Sequence, residues 1–191
     1  MKKALLSAIL VLTATAAQAT PITYTAALSG ANENPAVVTD GTGFATVTYD
    51  ATTHLLTVDV TFDDLTGTTT ASHIHCCAVP PTNAGVATTT PTFANFPLGV
   101  TSGTYFNTLN LTLASSFNPA FVTAQGSIGA AETALANGLA SGMTYLNVHT
   151  SFAPGGEIRG VLTAASVPEP ATFTLLGAAL VGLATRRRTN A

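Results

Sequence analysis

The chemistry available to this sequence rests on three histidines. His73-Ile74-His75 is an H-x-H pair in an alternating stretch, and His149 closes the run Tyr145-Leu146-Asn147-Val148-His149. Side chains at i and i+2 of a strand share a face about 6.6 Å apart. Two imidazoles so spaced can converge on one metal ion, each nitrogen about 2.0–2.1 Å from it. If Leu146 and Val148 face a core, then Tyr145, Asn147 and His149 face away from it. By the same parity Ile74 and Ile158 face inward, while His73, His75, Glu157 and Arg159 face outward. Should the three strands be neighbours, three imidazoles, one carboxylate and one guanidinium form a single polar cluster. Histidine ligands with an open position suit copper or zinc. Glu157, Arg159 and Asn147 would then stand behind the ligands and fix ring orientation. The competing reading is a hydrogen-bonded network on the sheet face, Arg159 pairing with Glu157 or an Asp, with no metal. His54, beside a turn, reads as solvated.

Cys76-Cys77 follows the H-x-H directly. Adjacent cysteines close only a strained ring, because ordinary disulfides hold Cα atoms about 4.4–6.8 Å apart. Three arrangements stay open: a vicinal disulfide with redox activity, thiolate ligands beside His75, or a bridge to another chain.

Positioning these residues requires a β-rich frame. His54–Phe62 places Leu56, Val58, Val60 and Phe62 on one face and Thr57, Asp59 and Thr61 on the other, the signature of a half-buried strand. Weaker versions run over 22–28, 43–49, 71–76, 105–113, 144–150 and 157–163, with glycine-containing turns between them. Many short strands imply an antiparallel β-sandwich or Greek-key-like domain over 20–166. Asn118-Pro119 reads as a cap opening a short helix to Ala124. Ala130–Ala140 reads as a second helix laid on the sheet, with Gly142 as its stop. Residues 79–102 form a long loop, either of the functional kind or a packed connection with no role, pinned by Phe93, Phe96 and Leu98.

Charge narrows the function classes. Of 191 residues only 8% are charged and 47% are hydrophobic, against about 25% charged in ordinary domains. Lys2, Lys3, Arg186, Arg187 and Arg188 stand at the termini, leaving Arg159 against eight acids between residues 20 and 166. A region so acidic has no groove for phosphates, which excludes nucleic-acid binding.

The termini read as addresses. Residues 1–19 carry Lys2-Lys3, an apolar stretch and Ala17-Gln18-Ala19, a secretory signal peptide that signal peptidase would cut before Thr20. Residues 167–191 carry Pro168-Glu169-Pro170, a short apolar run over 173–184 and Arg186-Arg187-Arg188. By length alone the run is a marginal membrane span held by cytoplasmic arginines. The three parts in this order resemble the PEP-CTERM sorting signal. The resemblance implies transient membrane association through the C-terminal helix, handling by an exosortase-type enzyme, and delivery to the cell surface or exopolysaccharide matrix of a Gram-negative-type bacterium.

Between the addresses, Leu28-Ser29-Gly30-Ala31-Asn32-Glu33-Asn34-Pro35, Ser72-His73-Ile74-His75 and the stretch Tyr145–Thr150 with Pro154-Gly155-Gly156-Glu157-Ile158-Arg159-Gly160 resemble the CHRD (chordin-type) domain. That family implies an extracellular β-sandwich-like module. Cys76-Cys77 departs from it, standing where many members have a small residue. A fainter likeness is to copper-zinc superoxide dismutase, whose copper-type ligands His73, His75 and His149 would match. No further histidine lies between His75 and His149, so the bridging and zinc-binding set of that enzyme is missing.

The resulting expectation is a non-enzymatic structural or binding module at the surface, with a His-based copper or zinc site. No nucleophile–base pair has a recognised catalytic spacing. The alternatives are a copper- or zinc-dependent redox enzyme and a carbohydrate-binding module using Tyr145 and Tyr105.

Overall fold

Period-two alternation sets the strands, and the structure, a computed structural model, describes residues 20–165. The signal peptide read over 1–19 and the sorting tail read over 167–191 lie outside the described residues. The strands are β1 (Ile22–Ser29), β2 (Thr42–Asp50), β3 (Leu55–Asp63), β4 (Thr69–Cys76), β5 (Gly103–Asn110), β6 (Thr144–Thr150), β7 (Ile158–Val161) and β8 (Thr163–Ala164). They form one curled antiparallel sheet in the order β4-β6-β7-β1-β2-β3-β5, with β8 paired to β1. The mainly β, antiparallel expectation is borne out. The strand expected over 105–113 ends at Asn110, where the Asn110 side chain accepts from the Thr112 backbone N–H and turns the chain.

The inner face carries the core. Leu56, Val58 and Val60 are fully buried on β3, as are Leu146 and Val148 on β6 and Ile158 on β7. Two helices lie over it. α1 (Pro119–Gln125) opens where the Asn118 side chain accepts from the Ala120 N–H, as the Asn-Pro pair implied. α2 (Ile128–Ala140) begins two residues earlier than expected, because Ser127 caps it by accepting from the Ala130 N–H. Leu135 and Leu139 point from α2 into the core. His54 is not simply solvated: its Nδ1 lies 2.9 Å from the Glu132 carboxylate on α2.

Cys76 and Cys77 are joined as a vicinal disulfide that packs against α2. A Cβ on Gly138 would lie 2.5 Å from Cys76 Sγ, which explains a glycine inside a helix where it otherwise costs about 1 kcal/mol.

The long segment after β4 is the main departure from a plain sheet. Phe93 and Phe96 are buried as expected, stacking against Tyr105 and Phe62, but Leu98 is 51% exposed and pins nothing. The segment runs back along the free edge of β4. Cys76 and Ser72 donate to Gly85 O and Thr92 Oγ1, while Ala87 and Phe93 donate to Ile74 O and Ser72 O. This edge is therefore satisfied by a loop rather than by another strand.

Candidate metal centre

Sheet register assembles the histidines. β6 lies between β4 and β7, pairing Ala71 with His149, His73 with Asn147, His75 with Tyr145, and Asn147 with Arg159. All these residues face away from Ile74, Leu146 and Ile158, as the alternation required. Ring centroids stand 5.2 Å apart for His73 and His149, and 5.9 Å apart for His75 and each of the others. One nitrogen of each ring lies within 4.8 Å of one nitrogen of each other ring.

Little of this face is open to solvent. His73 and His75 are 6% and 8% exposed, and His149 is half-buried. The loop after β4 covers the first two, and the turn before β7 flanks the third. Both covers supply backbone carbonyls. His73 Nε2 lies 2.7 Å from Pro91 O, His75 Nδ1 lies 2.9 Å from Ala84 O, and His149 Nδ1 lies 2.9 Å from Pro154 O. A carbonyl only accepts, so each of these nitrogens carries the proton. In the neutral rings the remaining nitrogens, His73 Nδ1, His75 Nε2 and His149 Nε2, are then bare lone pairs. His73 Nδ1 and His149 Nε2 lie 3.2 Å apart with no proton between them, and His75 Nε2 has no partner among the described residues.

A proton could relieve this crowding by making one ring an imidazolium. Burial opposes that. It pulls His73 down to about 4, against the Pro91 carbonyl and with smaller repulsion from the other two rings. Burial lowers His75 and His149 as well, against their carbonyl partners. Three neutral imidazoles with converging lone pairs could hold a transition-metal ion, with tautomers fixed from behind. Two nitrogens on one tetrahedral ion lie roughly 3.3–3.4 Å apart, close to the observed separation of His73 and His149.

The surroundings differ from the sequence reading in one carboxylate. Glu157 is fully buried, but not beside the histidines. It accepts from Thr39 and Thr150 hydroxyls and from the Thr66 and Gly67 backbone N–H groups. It immediately precedes β7, so strand parity does not govern its direction. The carboxylate in the cluster is Glu33, which sequence parity could not find because it lies in an irregular turn after β1. Asn147 Nδ2 donates to Glu33 Oε1, and Arg159 Nε stands 3.7 Å from Glu33 Oε2. Burial pushes Glu33 up to about 7 against the pull of Arg159 and the Asn147 hydrogen bond. Its one sequence signal was its place in the Leu28–Pro35 block.

Arg159 is 4% exposed and donates to Asn32 O, Asn83 Oδ1 and Pro81 O. It ties the Glu33 turn to the loop after β4. Its guanidinium lies 4.6 Å from the Tyr145 ring centroid, and Tyr145 stacks on His75 at 4.7 Å. Tyr145 and Tyr105 are each 5% exposed, so neither presents a ring for a sugar to stack on. The disulfide lies against α2, with Cys76 on the core side of β4, opposite His75, and Cys77 exposed.

Comparison with known proteins identifies two regions of the chain. The CHRD domain family model matches residues 24–162, and the PEP-CTERM protein-sorting motif matches residues 166–188. No curated protein and no solved structure matches the chain.

Proposed function

The chain belongs to the CHRD domain family and carries the sorting motif of exported Gram-negative proteins, and on that premise we propose that it is a surface-delivered module that holds one copper or zinc ion between His73, His75 and His149. One observation carries the reading: the nitrogens left over after each ring has donated to a backbone carbonyl converge with no proton to share. Burial keeps the rings neutral, and the donor types suit copper and zinc. The site lacks the second histidine set of a two-metal dismutase, so the reading is a binding module rather than that enzyme. The tail supports sorting by an exosortase-type enzyme, with the cell surface or its exopolysaccharide as the proposed destination.

Metal analysis of the purified protein tests the site. One equivalent of copper or zinc is expected, lost in His73→Ala/His75→Ala and retained in His54→Ala. Absence of metal as purified, with no uptake on titration, would refute it. Deleting residues 168–191 is expected to release the protein into the medium; unchanged retention would refute the sorting reading.

A further inference from the structure

Asn147 sits at the centre of the polar face, between His73 on one neighbouring strand and Arg159 on the other. It is 1% exposed. Its amide orientation is fixed by its partners. Nδ2 faces Glu33 Oε1 at 3.2 Å and Gly155 O at 3.4 Å, both acceptors. A flipped amide would put oxygen against oxygen. Gly156 keeps this pose open: a Cβ there would lie 2.1 Å from Nδ2, and its φ of +130° also favours glycine.

The other end of the amide has no such partner. Among the described residues, Asn147 Oδ1 is buried without a hydrogen-bond partner, and so is His75 Nε2. Asn147 would accept a hydrogen bond from a protonated His75 ring, but burial disfavours that form. Two buried acceptors in one place cost about 1–3 kcal/mol each unless something with protons or positive charge lies between them. A metal satisfies the imidazole. It leaves the amide oxygen needing a donor, and a three-imidazole site leaves the ion needing a fourth ligand. A water molecule meets both needs at once.

We propose that Asn147 is a positioning residue for the ion's fourth ligand, its Oδ1 accepting a hydrogen bond from a water in that place. The inference rests on the metal reading above. The site then favours small ligands that bring a proton. A proton-free anion such as azide must displace the water and leave Oδ1 unsatisfied.

The test uses the full chain loaded with Cu(II) and titrated with azide, read by the azide-to-copper charge-transfer band. Asn147→Ala and Asn147→Leu remove the acceptor, and they are expected to bind one copper and to bind azide roughly 2–10-fold tighter than the parent, the worth of one hydrogen bond. Asn147→Asp keeps an acceptor and is expected to show no such gain. Leu matches Asn in size, so it keeps the test standing if Ala disturbs the fold. Equal or weaker azide binding by copper-loaded Ala and Leu variants would overturn the proposal. So would a loss of copper affinity beyond tenfold in them, because the amide oxygen would then be a ligand itself. A parent protein that takes up no copper or zinc instead sinks the metal reading.

Discussion

The two ends of the curled sheet obey one sequence rule and reach opposite results. At the β2-β3-β5 end, Leu56, Val58 and Val60 point inward, while Asp59, Thr61 and Phe106 point into water. At the β4-β6-β7 end, Ile74, Leu146 and Ile158 point inward just as strictly, yet the polar side is covered. There His73, Asn147 and Arg159 are all less than a tenth exposed. A polar residue on a solvated strand face needs no partner from the protein. On a covered face each one must be satisfied, and the covers supply the acceptors. The difference lies in the loop after β4 and the turn around Glu33, not in the strands.

The sharpest way to break this contrast is to remove a buried polar group at one end and an exposed one at the other. Arg159→Met is expected to destabilise by about 3–5 kcal/mol, because it leaves the buried Glu33 carboxyl without its cation and unties Asn83 and two backbone carbonyls of the covering loops. Asp59→Ala, on the open face, is expected to stay within about 0.5 kcal/mol. Denaturant titration reads both. Values within 1 kcal/mol of one another would mean that the cover contributes little.

Glu157→Gln comes next. The carboxylate joins four donors from three segments, and replacing one oxygen by an amide turns a donor toward a donor. A loss of about 1.5–3 kcal/mol is expected, the range for hydrogen bonds to a charged group. Burial pushes Glu157 up, but hydrogen bonds from Thr150, Thr39, Thr66 and Gly67 outweigh it and leave it below 4.5. A depressed carboxylate stabilises fully above its unfolded value and loses that contribution as pH falls through the folded one. The parent and Gln curves should therefore converge below pH 4.5; parallel curves down to pH 3 would contradict the charged assignment.

How much of this was legible in the residues follows the same division. Alternation placed the strands, put His73, His75 and His149 on one face and sent Ile74, Leu146 and Ile158 inward, because a pleated strand has no other periodicity. The Asn118-Pro119 start was legible because a cap is a local device. The cover was not. Residues 79–102 have no period, and their bonds to β4 mix backbone groups with the hydroxyls of Thr88 and Thr92, which nothing in the sequence sets apart from the other threonines of the segment. Glu157 and Glu33 exchanged roles for a related reason. Parity holds only inside a ladder, and Glu157 stands one residue before β7 while Glu33 stands in a turn. Leu98 and His54 show that composition alone does not tell which loop residue packs.

Titration sharpens the contrast inside the covered end. His73 is held at about 4 against an ordinary 6.5. Between those values the unfolded chain binds a proton that the metal-free folded chain refuses, so stability falls on acidification, by up to ~1.4 kcal/mol per pH unit. Glu33, at about 7 against 4.5, works the other way: between those values the folded chain keeps a proton that the unfolded chain has lost. The two offset one another between pH 4.5 and 6.5. Glu33→Gln removes the compensation, so the metal-free variant is expected to lose stability more steeply than the parent, by roughly 1 kcal/mol per unit. Identical slopes for the two proteins between pH 6.5 and 5 would separate Glu33 from the cluster.

The smallest expected effect belongs to Phe106. It is 71% exposed on β5, opposite Asp59, and is the largest apolar side chain on the solvated face of that strand. Phe106→Thr exchanges one good strand former for another and uncovers no core residue, since Tyr105 and Leu109 carry the packing of β5. Stability should stay within about 0.5 kcal/mol of the parent. Tyr145 is its counterpart, an aromatic on the polar side of β6, but its hydroxyl accepts from the Ala84 N–H and its ring carries His75 and Arg159. Tyr145→Thr therefore belongs with Arg159→Met in size. If Phe106→Thr proves as costly as Tyr145→Thr, then something covers the β2-β3-β5 face as well, and the two ends of the sheet are not different in kind.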